Sequence, residues 1–216
     1  MPASSKVLDL RSLLAERFPQ TFAPVANRLT TGLPIIDEMI GGGLPKNAIT
    51  ELSSPNLSAG SALLIYALLQ NAHRAGYFLA LVDGRDSFDP QSIGNAGLRH
   101  LLWVRCTKAF EAVQAADLLL RDGNFPLVVL DLVLNAAEEL RKIPQTNWYR
   151  LQRLVEAAPA AFLVLTRTSI ISSAQLKLAL ENTWRLADLE QDCAASSLKV
   201  LVTRSQGGRQ VLAGAG

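Results

Sequence analysis

Apolar positions along the chain fall into two alternating rhythms. Short runs rich in β-branched or aromatic residues occur at 48–52, 77–82, 101–104, 127–132 and 161–166, and each reads as a strand. Between them, segments 61–74, 108–121 and 145–157 carry their apolar residues at helical spacing. Strands that are apolar almost throughout must be buried on both faces, so this alternation predicts an α/β fold: a mostly parallel central sheet covered by helices on both sides. The last part of the chain breaks the rhythm. Segments 183–187, 197–203 and 209–213 read as strands on short connections, and the Gly207-Gly208 pair between the last two predicts a β-hairpin closing one edge of the sheet.

Ahead of this core, Leu10, Leu13, Leu14 and Phe18 recur at helical spacing until Pro19 ends the run. An amphipathic helix is expected there, with a loose linker over 20–27, dividing the chain into an N-terminal helix and linker (1–27) and one domain (28–216). The apolar face of that helix has two uses: packing on its own domain, or docking onto a partner.

Composition narrows the class. With 216 residues, 49% hydrophobic and 19% charged, the chain carries enough apolar material for one large core and too little charge for disorder. A formal net charge of +2 is far from the dense basic stripe of a dedicated nucleic-acid module, so any DNA contact is expected to be weak. Cys106 and Cys193 stand far apart with no second ligand at metal spacing, which indicates neither a disulfide framework nor a zinc site. The N-terminus has no apolar signal core, and no apolar run approaches the roughly 18 to 20 residues that cross a bilayer, so the cytoplasm is the expected compartment.

The segment after the first core strand is where phosphate would sit. Strand 48–52 runs into Ser53-Ser54-Pro55-Asn56-Leu57-Ser58-Ala59-Gly60, and a helix opens at Ser61, the arrangement in which loop and first-turn N–H groups converge on an anion. A working P-loop, G-x-x-x-x-G-K-[ST], needs its lysine on the β and γ phosphates and its hydroxyl on Mg²⁺. With Gly60 as the second glycine, Pro55 stands at the first glycine, Ser61 at the lysine and Ala62 at the metal-binding hydroxyl. No lysine occurs between Asn47 and Lys108. A lost charge-assisted phosphate contact weakens binding by about 1.5 to 3 kcal/mol, and a missing metal ligand further removes charge neutralisation from the transition state. Hydrolysis is therefore expected to be absent, while weak anion binding by the remaining N–H groups stays open.

These segments, taken in order, resemble the RecA-type P-loop ATPases. Thr31-Gly32-Leu33-Pro34-Ile35-Ile36-Asp37, then Gly41-Gly42-Gly43-Leu44-Pro45-Lys46-Asn47-Ala48-Ile49-Thr50-Glu51, are similar to the entry of a RecA-like core. Residues 81–90 resemble the segment that carries an aspartate, a catalytic glutamate two positions on, and an Asp-Pro dipeptide. Asp83, Asp89 and Pro90 match, and Arg85 occupies the glutamate's place. An arginine accepts no proton, and a general base contributes about 10² to 10⁴ in rate. Residues 127–131 resemble the Walker B strand, with Asp131 at the Mg²⁺-associated carboxylate; the plainer reading of Asp131 is a cap for a neighbouring loop. Arg85, in turn, is expected to pair with Asp83 or Asp86 and to fill the vacated pocket.

The resemblance covers about 29–166, and Leu101-Leu102-Trp103-Val104-Arg105-Cys106 followed by an alanine-rich helix is closest to ImuA-like proteins, also described as SulA-like or RecA-like relatives. It implies a non-enzymatic accessory role in the DNA-damage (SOS) response and translesion synthesis, through RecA, ImuB or a polymerase subunit, without cofactor or metal. Two alternatives stay open: a SulA-like inhibitor of cell division, and a residual nucleotide-binding ATPase or sensor. By the same resemblance, Arg141, Lys142, Trp148, Arg150 and Arg153 fall near a DNA-meeting loop, where basic and aromatic side chains can grip a single strand. Against this, Trp148, Leu151 and Leu154 fit the buried stripe of a helix whose arginines are solvated. His73 and His100 have no partner that would make a catalytic or metal site and are assigned no chemistry.

Overall fold

A computed structural model of the chain describes residues 27–56, 59–93, 95–183 and 198–205. The strand and helix rhythm is realised as a seven-stranded sheet whose members are β3 (Ala48–Ser53), β4 (Leu79–Asp83), β5 (Leu101–Arg105), β6 (Leu127–Asp131), β7 (Ala161–Thr166), β8 (Leu176–Leu180) and β9 (Val200–Ser205). Their order across the sheet is β5-β4-β6-β7-β3-β8-β9. Every pairing is parallel except the last, where β9 runs antiparallel to β8. A separate two-stranded ribbon, β1 (Arg28–Leu29) with β2 (Leu44–Pro45), frames the entry to the domain.

Alternation along each strand sorts the core into two layers. Leu79 and Leu81 of β4, Leu127 and Val129 of β6, and Leu163 and Leu165 of β7 belong to one apolar cluster, with α1 (Pro34–Met39) and α2 (Ser61–Ala75). Ala80, Val82, Val128, Leu130, Phe162 and Val164 belong to the other, which α4 (Ala109–Asp122) and α6 (Gln145–Ala157) cover. The short α3 (Asn95–Leu98) and α5 (Ala137–Arg141) lie in connections. No described helix is long and apolar enough to cross a membrane.

The sheet closes with an antiparallel pair: β9 takes up most of the segment read as a strand at 197–203, its partner β8 was not among the strands read, and residues 184–187 of the segment 183–187 lie outside the described residues. β8 (Leu176–Leu180) pairs with β9 through a register shift between Lys177 and Leu178. The alternation in β8 of buried Leu176, Leu178 and Leu180 with part-exposed Lys177 and Ala179 is the mark of a strand with one buried face, which the search for continuous apolar runs passes over. The Gly207-Gly208 turn, segment 209–213 and the N-terminal Leu10, Leu13, Leu14 and Phe18 lie outside the described residues.

Two positions tie the sheet to its surroundings. Asn47, just ahead of β3, takes a left-handed φ of 62°, and its side-chain amide donates to the carbonyls of Ala158 at 2.5 Å and Glu156 at 3.3 Å at the end of α6. Asparagine tolerates this conformation because its short amide can bond locally. Glu51, 1% exposed within β3, accepts from Ser169 Oγ and from the backbone N–H groups of Ile170 and Ile171, and pairs with Lys177 Nζ at 3.0 Å.

Candidate functional site

Parallel strands all end on one side, and a cavity forms there between the start of α2, the end of β6 and the turn after β4. Its volume is ≈ 280 Å³, and Ser61, Ala62, Ile65, Tyr66, Ser87, Phe88, Asp89, Ile93, Asp131, Val133 and Leu134 line it. Gly60 opens α2 with φ 101°, and among the described residues no side chain caps the first turn. The bare N–H groups of that turn favour negative charge by about 0.3 to 1 kcal/mol.

The side chains oppose this preference. Asp89 and Asp131 are the charged lining residues, and no lysine or arginine lines the cavity among the described residues. Asp131 Oδ1 accepts the Val133 N–H at 3.0 Å, a local loop cap. Burial pushes the Asp131 carboxyl up from 3.8 to about 6; the Val133 hydrogen bond opposes the rise and the neighbouring Asp83 charge adds to it. At neutral pH the group is still mostly ionised. Unit charges 4 Å apart interact by ~4 kcal/mol in a partly screened environment, several times the helix-terminus preference. The carboxylates set the sign of the site, and they set it against phosphate.

Asp83 and Arg85 behave differently from the sequence reading. Asp83 is 1% exposed and accepts from the backbone N–H groups of Arg85, Ser87 and Phe88 and from Ser87 Oγ, so it shapes the turn that forms one cavity wall. The Arg85 guanidinium does not fill the cavity and pairs with neither aspartate. It is exposed and donates to the Thr107 carbonyl at 3.3 Å. Asp86 is taken by Arg105 in a two-pronged bond of 2.5 and 2.7 Å, and that guanidinium also lies 5.0 Å from the Trp103 ring centroid. The turn itself is tightly bonded to Asp83. Gly84 shows how tight it is: a Cβ there would come within 2.8 Å of the Asp131 carbonyl and of Leu132.

The proposed nucleic-acid cluster is also redistributed. Trp148 is 1% exposed in the core under α6, so it cannot stack on a base, while Leu151 and Val155 complete the buried stripe and Leu154 packs against it. Arg150 pairs with Asp117 of α4 at 2.7 Å. Arg141, Lys142 and Arg153 are exposed. His73 and His100 meet at 3.2 Å beside Phe78, at the opposite ends of the strands from the cavity. Pro55 lies on the loop, Gly60, Ser61 and Ala62 at the helix start and Asp131 at the strand end, and Ser61, Ala62 and Asp131 share the cavity.

Sequence reasoning missed the apolar walls, Ile65, Tyr66, Ile93, Val133 and Leu134. It also missed a polar brace beneath the site. Asn135 donates to the Gly84 carbonyl at 2.9 Å and to Glu139 at 3.2 Å, and Glu139 accepts the Ala109 N–H that starts α4. A signal existed for Tyr66 and Leu134, which follow the loop and the strand end closely, but nothing in their spacing separates rim from core.

No family model matches the chain. Curated proteins do. It is 36% identical over 114 residues to the Protein RecA of Clavibacter michiganensis subsp. michiganensis, a match covering 51% of this chain and 31% of that protein. Over 121 residues it is 33% identical to the Protein RecA of Leifsonia xyli subsp. xyli, covering 55% and 32%, and over 113 residues 31% identical to that of Frankia alni, covering 51% and 32%. This core is RecA-like. The match spans about a third of each relative's length and agrees with the observed sheet of parallel strands between helical layers. In this RecA-like core, the cavity holds carboxylates and apolar walls at the end of the sheet where the sequence reading placed phosphate.

Proposed function

We propose that the chain is a non-catalytic, ImuA-like accessory protein of the DNA-damage response that works by contact with protein partners such as RecA, ImuB or a polymerase subunit in translesion synthesis. The observation that carries this reading is the cavity itself. Ser61, Ala62, Asp89 and Asp131 line it, with no described lysine or arginine to meet a polyphosphate. Binding the γ-phosphate and Mg²⁺ is almost entirely a matter of positioned positive charge, so a nucleotide placed there would face two carboxylates and few compensating donors. The burial of Trp148 and the engagement of Arg150 by Asp117 weaken the case for a DNA grip on α6, which leaves protein contacts as the main mode of action.

The test is phosphate release by purified full chain with ATP and Mg²⁺, with and without single-stranded DNA. No release above the Asp131→Ala variant is expected, and a gene deletion should lower damage-induced mutation frequency. Mg²⁺-dependent turnover abolished by Asp131→Ala would refute the reading. A deletion that leaves mutagenesis intact, with filamentation on overexpression, would favour the cell-division inhibitor. The uncapped first turn of α2 favours a second reading, weak nucleotide sensing without turnover. Calorimetry with Mg-ATP tests it.

A further inference from the structure

We propose that the cavity between α2 and β6 is a socket for an arginine side chain presented by a protein partner. This deepens the accessory reading and rests on it. The first argument is charge: Asp131 stands on the wall, and no described lysine or arginine lines the space beside it. Among the described residues Asp131 forms no ion pair, and its one backbone partner, the Val133 N–H, leaves further acceptor capacity on the carboxylate. The second is an unanswered hydroxyl. Ser61 is 8% exposed, lines the cavity and has no hydrogen-bond partner among the described residues, so its oxygen is available to accept an N–H from within.

The third argument is shape and wall chemistry. Ile65, Ile93 and Val133 form a buried floor, while Tyr66 and Leu134 stand 39% and 48% exposed at the mouth. These two side chains give the stem of an entering side chain apolar surface to pack against. A guanidinium on a three-carbon stem fits this division, with the stem along the apolar wall and the planar donor fork on the carboxylate and hydroxyl. At ≈ 280 Å³ the cavity falls at the small end of ligand sites and has room for an arginine side chain. A neutral apolar anchor would fill the walls but leave Asp131 buried without a counter-charge, so arginine is favoured over leucine or phenylalanine.

The experiment uses isotope-labelled full chain and three capped pentapeptides that differ only at the centre: arginine, citrulline (the same shape without charge) and norleucine. The arginine peptide is expected to bind saturably and shift the resonances of Ser61, Tyr66 and Leu134, about tenfold or more tightly than the citrulline peptide. Asp131→Asn should erase that preference, and Leu134→Ala should weaken both peptides while leaving their ratio intact. Equal binding of the arginine and citrulline peptides, or preferred binding of norleucine, overturns the proposal, as does Mg-ATP or spermidine shifting the same resonances while the arginine peptide does not. Failure here, with no phosphate release, removes the socket and leaves the accessory role standing; ATP turnover removes both.

Discussion

Replacing Asp131 with asparagine should make the protein more stable, and only above a definite pH. The carboxyl stands at about 6 in the folded chain against 3.8 for a free aspartate, raised first by burial. Folding therefore takes up a proton between pH ~4 and ~6, and the stabilisation present below pH ~4 is lost as pH rises through 6. The span from 3.8 to about 6 corresponds to roughly 3 kcal/mol at pH 7. Asparagine keeps the acceptor for the Val133 N–H but cannot ionise, so Asp131→Asn should gain up to that amount at pH 7 and nothing at pH 4. For a chain of this length, about 2 to 4 °C per kcal/mol gives a rise in Tm of roughly 6 to 12 °C at pH 7. Thermal melts followed by circular dichroism from pH 4 to 8 decide it. Two parallel Tm profiles, or a variant that melts lower at pH 7, would refute the argument that the charge is held at a cost. A stabilising loss of charge at a cavity is the pattern of a site kept for function rather than for folding.

Three further outcomes follow from the packing. Lys177→Met should destabilise by about 3 to 5 kcal/mol in urea unfolding, because Glu51 keeps its burial and loses its counter-charge. Gly84→Ala should lose about 1 to 3 kcal/mol, since a Cβ meets the Asp131 carbonyl and Leu132 at 2.8 Å; equal urea midpoints for variant and parent would show the turn to be looser than described. Asn47→Ala should lose about 2 kcal/mol through left-handed strain and the two forfeited bonds to α6, whereas Asn47→Gly should lose less, and the order of the two melting temperatures checks the cause.

The fold was legible because the central strands are buried on both faces. Continuous apolar runs such as 127–132 and 161–166 mark them without ambiguity, and the helix over 145–157 was bounded to the residue. β8 was not legible, because Lys177 and Ala179 break its apolar run and its partner β9 lies across a long connection. At the site, the strand-loop-helix holding Gly60, Ser61 and Ala62 could be read from spacing, while Asp131 came from the resemblance of 127–131 to a Walker B strand. The fate of Arg85 could not be read. Its direction depends on Asp83 gathering three backbone N–H groups and on Thr107 standing within reach, neither of which leaves a trace in residue order. The same holds for Trp148, whose place in either a stacking surface or a buried stripe was decided by α4 lying over it.

The position of β3 sets a schedule for synthesis. It is the first strand of the large sheet to leave the ribosome, yet both its neighbours, β7 and β8, are translated more than a hundred residues later. At ~5 to 20 residues per second, a nascent β3 waits roughly 6 to 23 s for the start of β7. Until then its ladder groups and its apolar Ile49 and Leu52 have no partner strand, so a growing polypeptide of this topology is most exposed to misassociation in the interval before Ala161 emerges.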